Sequence, residues 1–322
     1  MGESGVAHIS VLADEVCAAL GPCLRGETSP RVLVDATAGL GGHTKALLET
    51  TTPTRAVLFD RDPHALAQAK QRLEGARCPL SFVHAGFATL LESLAELGIE
   101  RVTGIVADLG VSSMQLDQAE RGFSFRGDGP LDMRMDPTRG HSAAELIANT
   151  DLESLTRILR EYGEQPEPRR IAAAILEARP TTTRALAQAV TEATSHRERR
   201  KLGARIHPAT RAFQALRIEV NDELGQLDRF LEDAPACLEV GGRLAVITFH
   251  SLEDRRVKRR WRALSRPPQP PPHLPLTVDE LPRARFAVPS EFTGGTRPSA
   301  DEIASNPRAR SARLRVLERC AP

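Results

Sequence analysis

Along the first third of the chain, apolar runs alternate with segments whose apolar residues recur at helical spacing. The runs are "RVLVDATAG", "RAVLFDRD", "LSFVHAGF" and "GIVADLG", at residues 31–39, 55–62, 80–87 and 104–110. Between them lie "GGHTKALLE", "HALAQAKQRL" and "ATLLESLAEL", all rich in helix formers. Strands separated by ~10–15-residue helical patterns make βαβ units, and hence a parallel sheet. The strand-like runs are apolar throughout rather than alternating, which fits a sheet covered on both faces.

The rhythm breaks after Asp108. Residues 112–140, "SSMQLDQAERGFSFRGDGPLDMRMDPTRG", are rich in Gly, Asp and Arg and carry no clear period. From Asp151 the pattern turns helical, with Leu152, Leu155 and Leu159 behind an N-capping acid. "PRRIAAAILEA", "TRALAQAVTEAT" and "HPATRAFQALRIEVNDEL" continue it; the last places Phe213, Leu216, Val220 and Leu224 on one face. Then "GGRLAVITFH" reads as a fifth strand, "SLEDRRVKRRWRAL" as a basic helix, and "ARLRVLER" as a strand at the sheet edge. The run 266–275, "RPPQPPPHLP", has six prolines in ten residues and is expected to be a semi-rigid linker. The expected architecture is an α/β sheet domain of residues 1–112 and 213–322, interrupted by a mostly helical insert, 113–212.

Composition narrows this picture only a little. The 322 residues suffice for one large or two ordinary domains, and 41% hydrophobic residues can fill a core. Aromatic residues are 4%, so that core is mostly Leu, Ile, Val and Ala. The five cysteines, Cys17, Cys23, Cys78, Cys237 and Cys320, form no CxxC or zinc spacing and fit a reducing compartment. There is no apolar run long enough for a membrane span and no secretory pattern near Met1, so a cytoplasmic location is expected. A net charge of +1 points to no partner, but its distribution does. Arg255, Arg256, Lys258, Arg259, Arg260, Arg262 and Arg266 crowd one segment; Arg197, Arg199, Arg200, Lys201 and Arg205 crowd another. Such groups are usually solvated faces; in a neutral chain, two of them would favour phosphate contacts only on an enzyme acting on RNA. Only four of the 43 basic residues are Lys, a bias that a GC-rich genome explains better than phosphate recognition does.

In open parallel sheets, ligands bind outside the carboxyl ends of the strands. Here the first strand leads into Gly39, Gly41 and Gly42, before a helix. Thr44 stands where a dinucleotide fingerprint needs its third glycine, and no GK[ST] follows, so neither a nicotinamide site nor a P-loop is supported. The second strand ends in Asp60, placed to accept from ribose hydroxyls, with Asp62 as a rival that would merely cap the next helix. Phe87 either stacks on a flat base or packs in the core. Asp108 ends the fourth strand. Together these residues describe a pocket for an adenosine cofactor without pyrophosphate, which S-adenosylmethionine fits better than NAD.

The motifs "DATAGLGGHT", "FDRDP", "DLGVSSMQLDQAERGFSFRGDGPLDMRMD", "EYGE", "HPATRAFQALRIEVNDEL", "GGRLAVITFHSLEDRRVKR" and "NPRARSARLRVLER" resemble the 16S rRNA small-subunit (cytosine-N4) methyltransferase family, RsmH or MraW, from His8 to Arg319. The resemblance implies a class I S-adenosylmethionine-dependent methyltransferase (Rossmann-like) sheet with a helical substrate-recognition insert. It implies N4-methylation of a cytidine in the decoding centre, 16S rRNA within the small ribosomal subunit as partner, and a homodimer. Carried over by motif, the cofactor contacts are Gly41, Gly42, His43, Asp60, Phe87, Asp108 and Gln115. Two positions depart from the family form: Met114, where proline is expected, and Thr44, where serine is frequent.

Asp108 is also the candidate catalytic residue, through acceptance of a hydrogen from the target amine; carbonyls of Leu109 and Gly110 are alternatives. Amino-methyltransferases generally carry Pro-Pro-aromatic after this strand, and "DLGV" lacks it. Phe123 or Phe125 would then stack on the cytosine, against ordinary packing as the plainer reading. His250 and Ser251 are candidate base or phosphate contacts, with a structural histidine as the equal alternative; Arg255, Arg256 and Lys258 are candidate RNA contacts. Gln214, Arg217 and Asn221 form a polar stripe that either tethers the insert to the sheet or faces RNA. The competing classes are a nicotinamide oxidoreductase, disfavoured by Thr44, and an RNA-binding assembly factor with a vestigial pocket, which would not need Gly41, Asp60 and Asp108 together.

Overall fold

A computed structural model describes residues 10–25, 30–203, 206–267 and 284–322. His8, Arg205 and all but the first two residues of the proline-rich run lie outside the described residues. In chain order the elements are α1 (Ala13–Leu24), β1 (Val32–Asp35), α2 (Gly42–Thr50), β2 (Arg55–Asp60), α3 (Pro63–Arg72), β3 (Leu80–His84), α4 (Leu90–Glu96) and β4 (Val102–Asp108). There follow α5 (Ser113–Asp117), α6 (Ala143–Asn149), α7 (Leu152–Glu161), α8 (Pro168–Ala178), α9 (Thr183–Ala193), α10 (His196–Leu202) and α11 (Thr210–Asn221). The chain closes with α12 (Glu223–Cys237), β5 (Leu238–Thr248), α13 (Ser251–Leu264), β6 (Phe286–Ala287), α14 (Ala300–Ser305) and β7 (Arg313–Arg319).

The chain divides into two compact units, residues 1–110 with 226–322, and residues 111–225. The first unit is one seven-stranded sheet in the order β3-β2-β1-β4-β5-β7-β6. All neighbours pair in parallel except β7, which is antiparallel to both β5 and β6. Successive strand residues serve opposite faces. Val34, Phe59, Ile105 and Val246 pack with Leu90, Leu94, Phe230 and Trp261. Leu33, Leu58, Val106 and Ile247 pack with Val16, Leu20, Leu47 and Leu66. Both faces are therefore covered, which is why the strands read as unbroken apolar runs. Strand order reverses between β1 and β4, so the crevice for a ligand opens at Asp35 and Asp108.

The second unit holds a core of its own, including Phe123, Leu131, Met133, Leu155, Ile171, Leu186, Phe213 and Leu216. Its limits differ from the expected 113–212. Helix α11 belongs to the insert, because Ala212, Phe213, Ala215 and Leu216 are buried in that core. The sheet domain thus resumes at Gln226, not at residue 213. The bonds of the polar stripe on α11 do not tie the insert to the sheet as one reading expected; those described stay inside this unit. Gln214 Nε2 donates to the Tyr162 carbonyl at 2.9 Å, and Arg217 forms a double hydrogen bond with Glu223 at 2.7 and 2.8 Å. Asn221 accepts from Met135 N–H at 2.8 Å and donates to the Met133 carbonyl at 2.7 Å.

Candidate active site at the carboxyl edge of the sheet

The turn after β1 is built from residues that no other side chain could replace cheaply. Gly39 and Gly41 have φ of +51° and +75°, the left-handed region that favours glycine. A Cβ on Gly41 would also lie 3.1 Å from Leu73 Cδ1. Gly42 opens α2, and a Cβ there would meet Ser10 Oγ at 2.0 Å. Its glycine thus accommodates the chain's own Ser10, which sequence reasoning missed.

Hydrogen bonds from this turn fix the strand-end carboxylates. Asp35, buried at the end of β1, accepts from the Thr44 hydroxyl at 2.7 Å and from Thr37 N–H at 3.2 Å. The Thr37 hydroxyl in turn accepts from Asp108 N–H at 2.6 Å. Asp60 takes Gly39 N–H on Oδ2 at 2.7 Å and Asp62 N–H on Oδ1 at 2.8 Å. Asp62 itself caps α3 through His64 N–H, so of the two acids only Asp60 remains for a ligand. A carboxylate oxygen has a second lone pair, so both oxygens of Asp60 can still accept.

His43 and Asp108 form the centre of the group. His43 is 5% exposed, and its Nε2 lies 3.3 Å from Asp108 Oδ2. Among the described residues, His43 Nδ1 and Asp108 Oδ1 are buried with no hydrogen-bond partner. A buried acceptor without a donor costs roughly 1–3 kcal/mol, which a bound donor would recover. Burial pushes the His43 pKa down, but the hydrogen bond and charge of Asp108, with Asp35 and Glu302, outweigh it and hold it above the ordinary value. Burial pushes Asp60 up to about 6, aided by Asp62 and Asp35 and opposed by its two N–H bonds. Burial raises Asp35 as well. Three carboxylates on adjacent strands make a negative crevice, suited to a cationic ligand that also carries hydroxyls.

The other expected contacts take distinct places. Phe87 is half-buried just beyond β3, edge-on to Phe230 at 5.2 Å. Gln115 lies in the second unit and is buried; its Oε1 accepts from Ser112 N–H at 3.0 Å, completing a capping box on α5. Phe123 is buried in the second unit's core, and Phe125 packs on Phe213 and His207 at 5.0 and 4.5 Å. Packing thus absorbs both as the plainer reading had it. His250 is the N-cap residue of α13, with Nε2 3.1 Å from Glu253 Oε1. Glu253 Oε2 also accepts from Phe249 and His250 N–H, so His250 stands in a helix-capping group. Ser251 and Arg255 are exposed on α13, as is Lys258, while Arg256 pairs with Asp228 at 3.1 Å. Phe249 was not expected: its ring edge lies 3.6 Å from where a Gly110 Cβ would stand, two residues after Asp108.

The sequence profile of the MraW methylase family matches residues 5–320. The chain belongs to the MraW methylase family. It is 46% identical over 325 residues to "Ribosomal RNA small subunit methyltransferase H" of Burkholderia vietnamiensis, covering 98% of both chains. Over 317 residues it is 47% identical to the protein of that name from Methylobacterium sp., covering 98% of this chain and 92% of the other. As a MraW methylase the chain is a methyltransferase.

Both departures from the MraW form are harmless in this geometry. Asp35 needs only a hydroxyl at Thr44, which serine also provides. Met114 stands in the first turn of α5, where a proline would be tolerated, and the cap is made by Ser112 and Gln115 instead. The Asp35–Thr44 and Thr37–Asp108 bonds escaped sequence reasoning. For the first of them a signal was present in "DATAGLGGHT", whose Thr44 hydroxyl follows the strand-end acid by nine residues.

Proposed function

We propose that this methyltransferase transfers a methyl group from S-adenosylmethionine to N4 of a cytidine in the decoding centre of 16S rRNA. The observation that carries the reading is the strand-end trio Asp35, Asp60 and Asp108 around a left-handed glycine turn, with one carboxylate oxygen of Asp108 unpartnered among the described residues. The rRNA substrate follows from the relatives' name, and the cytidine and its N4 from the resemblance of the motifs. S-adenosylmethionine supplies a methyl group already activated on a sulfonium. The lone pair of cytosine N4 is delocalised into the ring, so the protein must hold the amine in line and draw it toward tetrahedral geometry. Asp108 Oδ1 accepts one of its hydrogens. His43, with its proton on Nε2, holds the other carboxylate oxygen and fixes the carboxylate plane. Asp60 accepts from the ribose hydroxyls, and the Gly41–His43 turn brings backbone close to the cofactor.

Phe249 supplies the stacking surface for which the sequence offers no Pro-Pro-aromatic. Phe249→Ala is expected to raise KM for the RNA about tenfold, on the scale of one base–aromatic stack, and to leave S-adenosylmethionine affinity unchanged by calorimetry. An unchanged KM would return Phe249 to core packing.

Asp60 gives the cofactor site a pH dependence. Its carboxyl titrates at about 6 in the ligand-free chain, and only the carboxylate offers both oxygens to ribose hydroxyls. Calorimetric Kd for S-adenosylmethionine is therefore expected to be flat above pH 7 and to weaken about tenfold per pH unit below about pH 6. Stability runs the opposite way: a raised carboxyl contributes to folding below its unfolded value near 4 and loses that contribution as pH rises through about 6. In Asp60→Asn the affinity should be weak at every pH; a surviving pH step would assign it to another group.

The insert, residues 111–225, serves substrate recognition in this proposal. Among the described residues no helix is long and apolar enough to cross a membrane. A cytoplasmic location and a homodimer complete the proposal; light scattering reads the latter.

A further inference from the structure

Helix α13 carries six basic residues with a seventh, Arg266, just beyond it, and the structure sorts them into two sets. Arg256 is tied to Asp228, and Arg260 donates to the Leu231 carbonyl at 3.0 Å. The others, Arg255, Lys258, Arg259, Arg262 and Arg266, are exposed and recur at three- and four-residue spacing, so they form one stripe. Lys258, Arg259, Arg262 and Arg266 make no ion pair or hydrogen bond among the described residues. The acids of the helix are engaged elsewhere, with only a longer-range attraction left between Asp254 and Lys258. Glu253 is buried against Phe249 and His250, and Asp254 takes a double hydrogen bond from Arg315 at 2.7 and 3.1 Å. Like charges four residues apart on a helix repel, here at 255/259, 258/262 and 262/266. A helix that keeps this repulsion, in a chain of net charge +1, carries a surface matched to an external polyanion.

We infer that this stripe is the docking track for the phosphate backbone of the RNA flanking the target nucleotide. The inference rests on the proposed RNA substrate. Position favours RNA over other anions: α13 begins three residues after β5 ends, at the same sheet edge as Asp108, and the stripe then runs about 10 Å along the helix from Arg255 to Arg262, with Arg266 beyond its end. Burial disfavours a membrane: Leu252, Val257 and Trp261 are buried, leaving among the described residues of α13 no large apolar side chain exposed beside the cations to enter lipid.

The test is the full-length chain with Lys258→Gln, Arg259→Gln, Arg262→Gln and Arg266→Gln together. Binding to protein-free small-subunit RNA and to intact small subunits is measured across salt, with phosphatidylserine vesicles as the alternative anion. S-adenosylmethionine affinity and the melting curve check the fold. The slope of log K against log salt is expected to fall by about 3 with both RNA targets, at roughly 0.7 per lost phosphate contact. KM for the RNA should rise tenfold or more at moderate salt, with the loss in KM rather than kcat. Neutralising Lys70 and Arg77, exposed on or just beyond α3, should leave the slope unchanged. An unaltered slope overturns the inference. So does a loss seen only with intact subunits, which assigns the stripe to a ribosomal protein, or vesicle binding as tight as RNA binding. If the wild-type chain transfers no methyl to RNA, the proposed function fails, while the slopes still decide whether this helix binds phosphate.

Discussion

Asp108→Asn is expected to lower methyl transfer at least about a hundredfold, on the scale of removing one charged acceptor from a reacting centre. The residue ends β4 at the crevice, its N–H is held by Thr37, and its Oδ2 faces His43. The amide keeps the shape and removes the charge. What changes is the one buried oxygen that lacks a partner among the described residues. Calorimetry tells which hydrogen that oxygen accepts. If the target amine is its partner, kcat falls and S-adenosylmethionine affinity holds; if the cofactor's ammonium is, affinity falls as well. Near-normal transfer in Asp108→Asn and in Asp108→Ala would remove Asp108 from the mechanism altogether.

The largest structural effect outside the crevice is expected from Asn221→Ala. Asn221 is 3% exposed at the end of α11. Its one side chain serves Met135 N–H, the Met133 carbonyl and the Arg217 carbonyl at 2.8, 2.7 and 2.9 Å. Met133 is a core residue with φ of +64°, so its loop holds a costly conformation that these bonds secure. Alanine would leave buried backbone groups unsatisfied, at a cost of about 2–4 kcal/mol. Denaturant unfolding of the full chain, read by hydrogen exchange in 111–225, should show that unit opening first. Equal protection in variant and wild type would place the stability of the loop elsewhere.

Much of the sheet was legible because strands covered on both faces cannot alternate, so 31–35, 55–60 and 102–108 stand out as apolar runs ending in acid. Helix α1 gave no signal, since Gly21 and Pro22 are breakers that lie within it. The domain boundary was placed too early because the apolar face of α11 fits a sheet-covering helix as well as an insert core; only its burial in the cluster that holds Leu155 and Ile171 tells the two apart. The sequence favours Asp60 over Asp62, and the helix cap that claims Asp62 agrees with that choice. The Thr37–Asp108 bond depends on the parallel register that sets Asp35 against Val106, a relation between distant segments that no local pattern encodes. Phe123 and Phe125 illustrate the opposite limit: their motif is specific, yet packing inside 111–225 accounts for both.

The most direct measurement is mass spectrometry of nucleosides from small-subunit RNA incubated with the chain and S-adenosylmethionine carrying a labelled methyl group. The account expects the label on N4 of one cytidine of the decoding centre, and none when Asp108→Asn replaces the wild type. No label on RNA, or a label on another base or on another atom of cytosine, would contradict it.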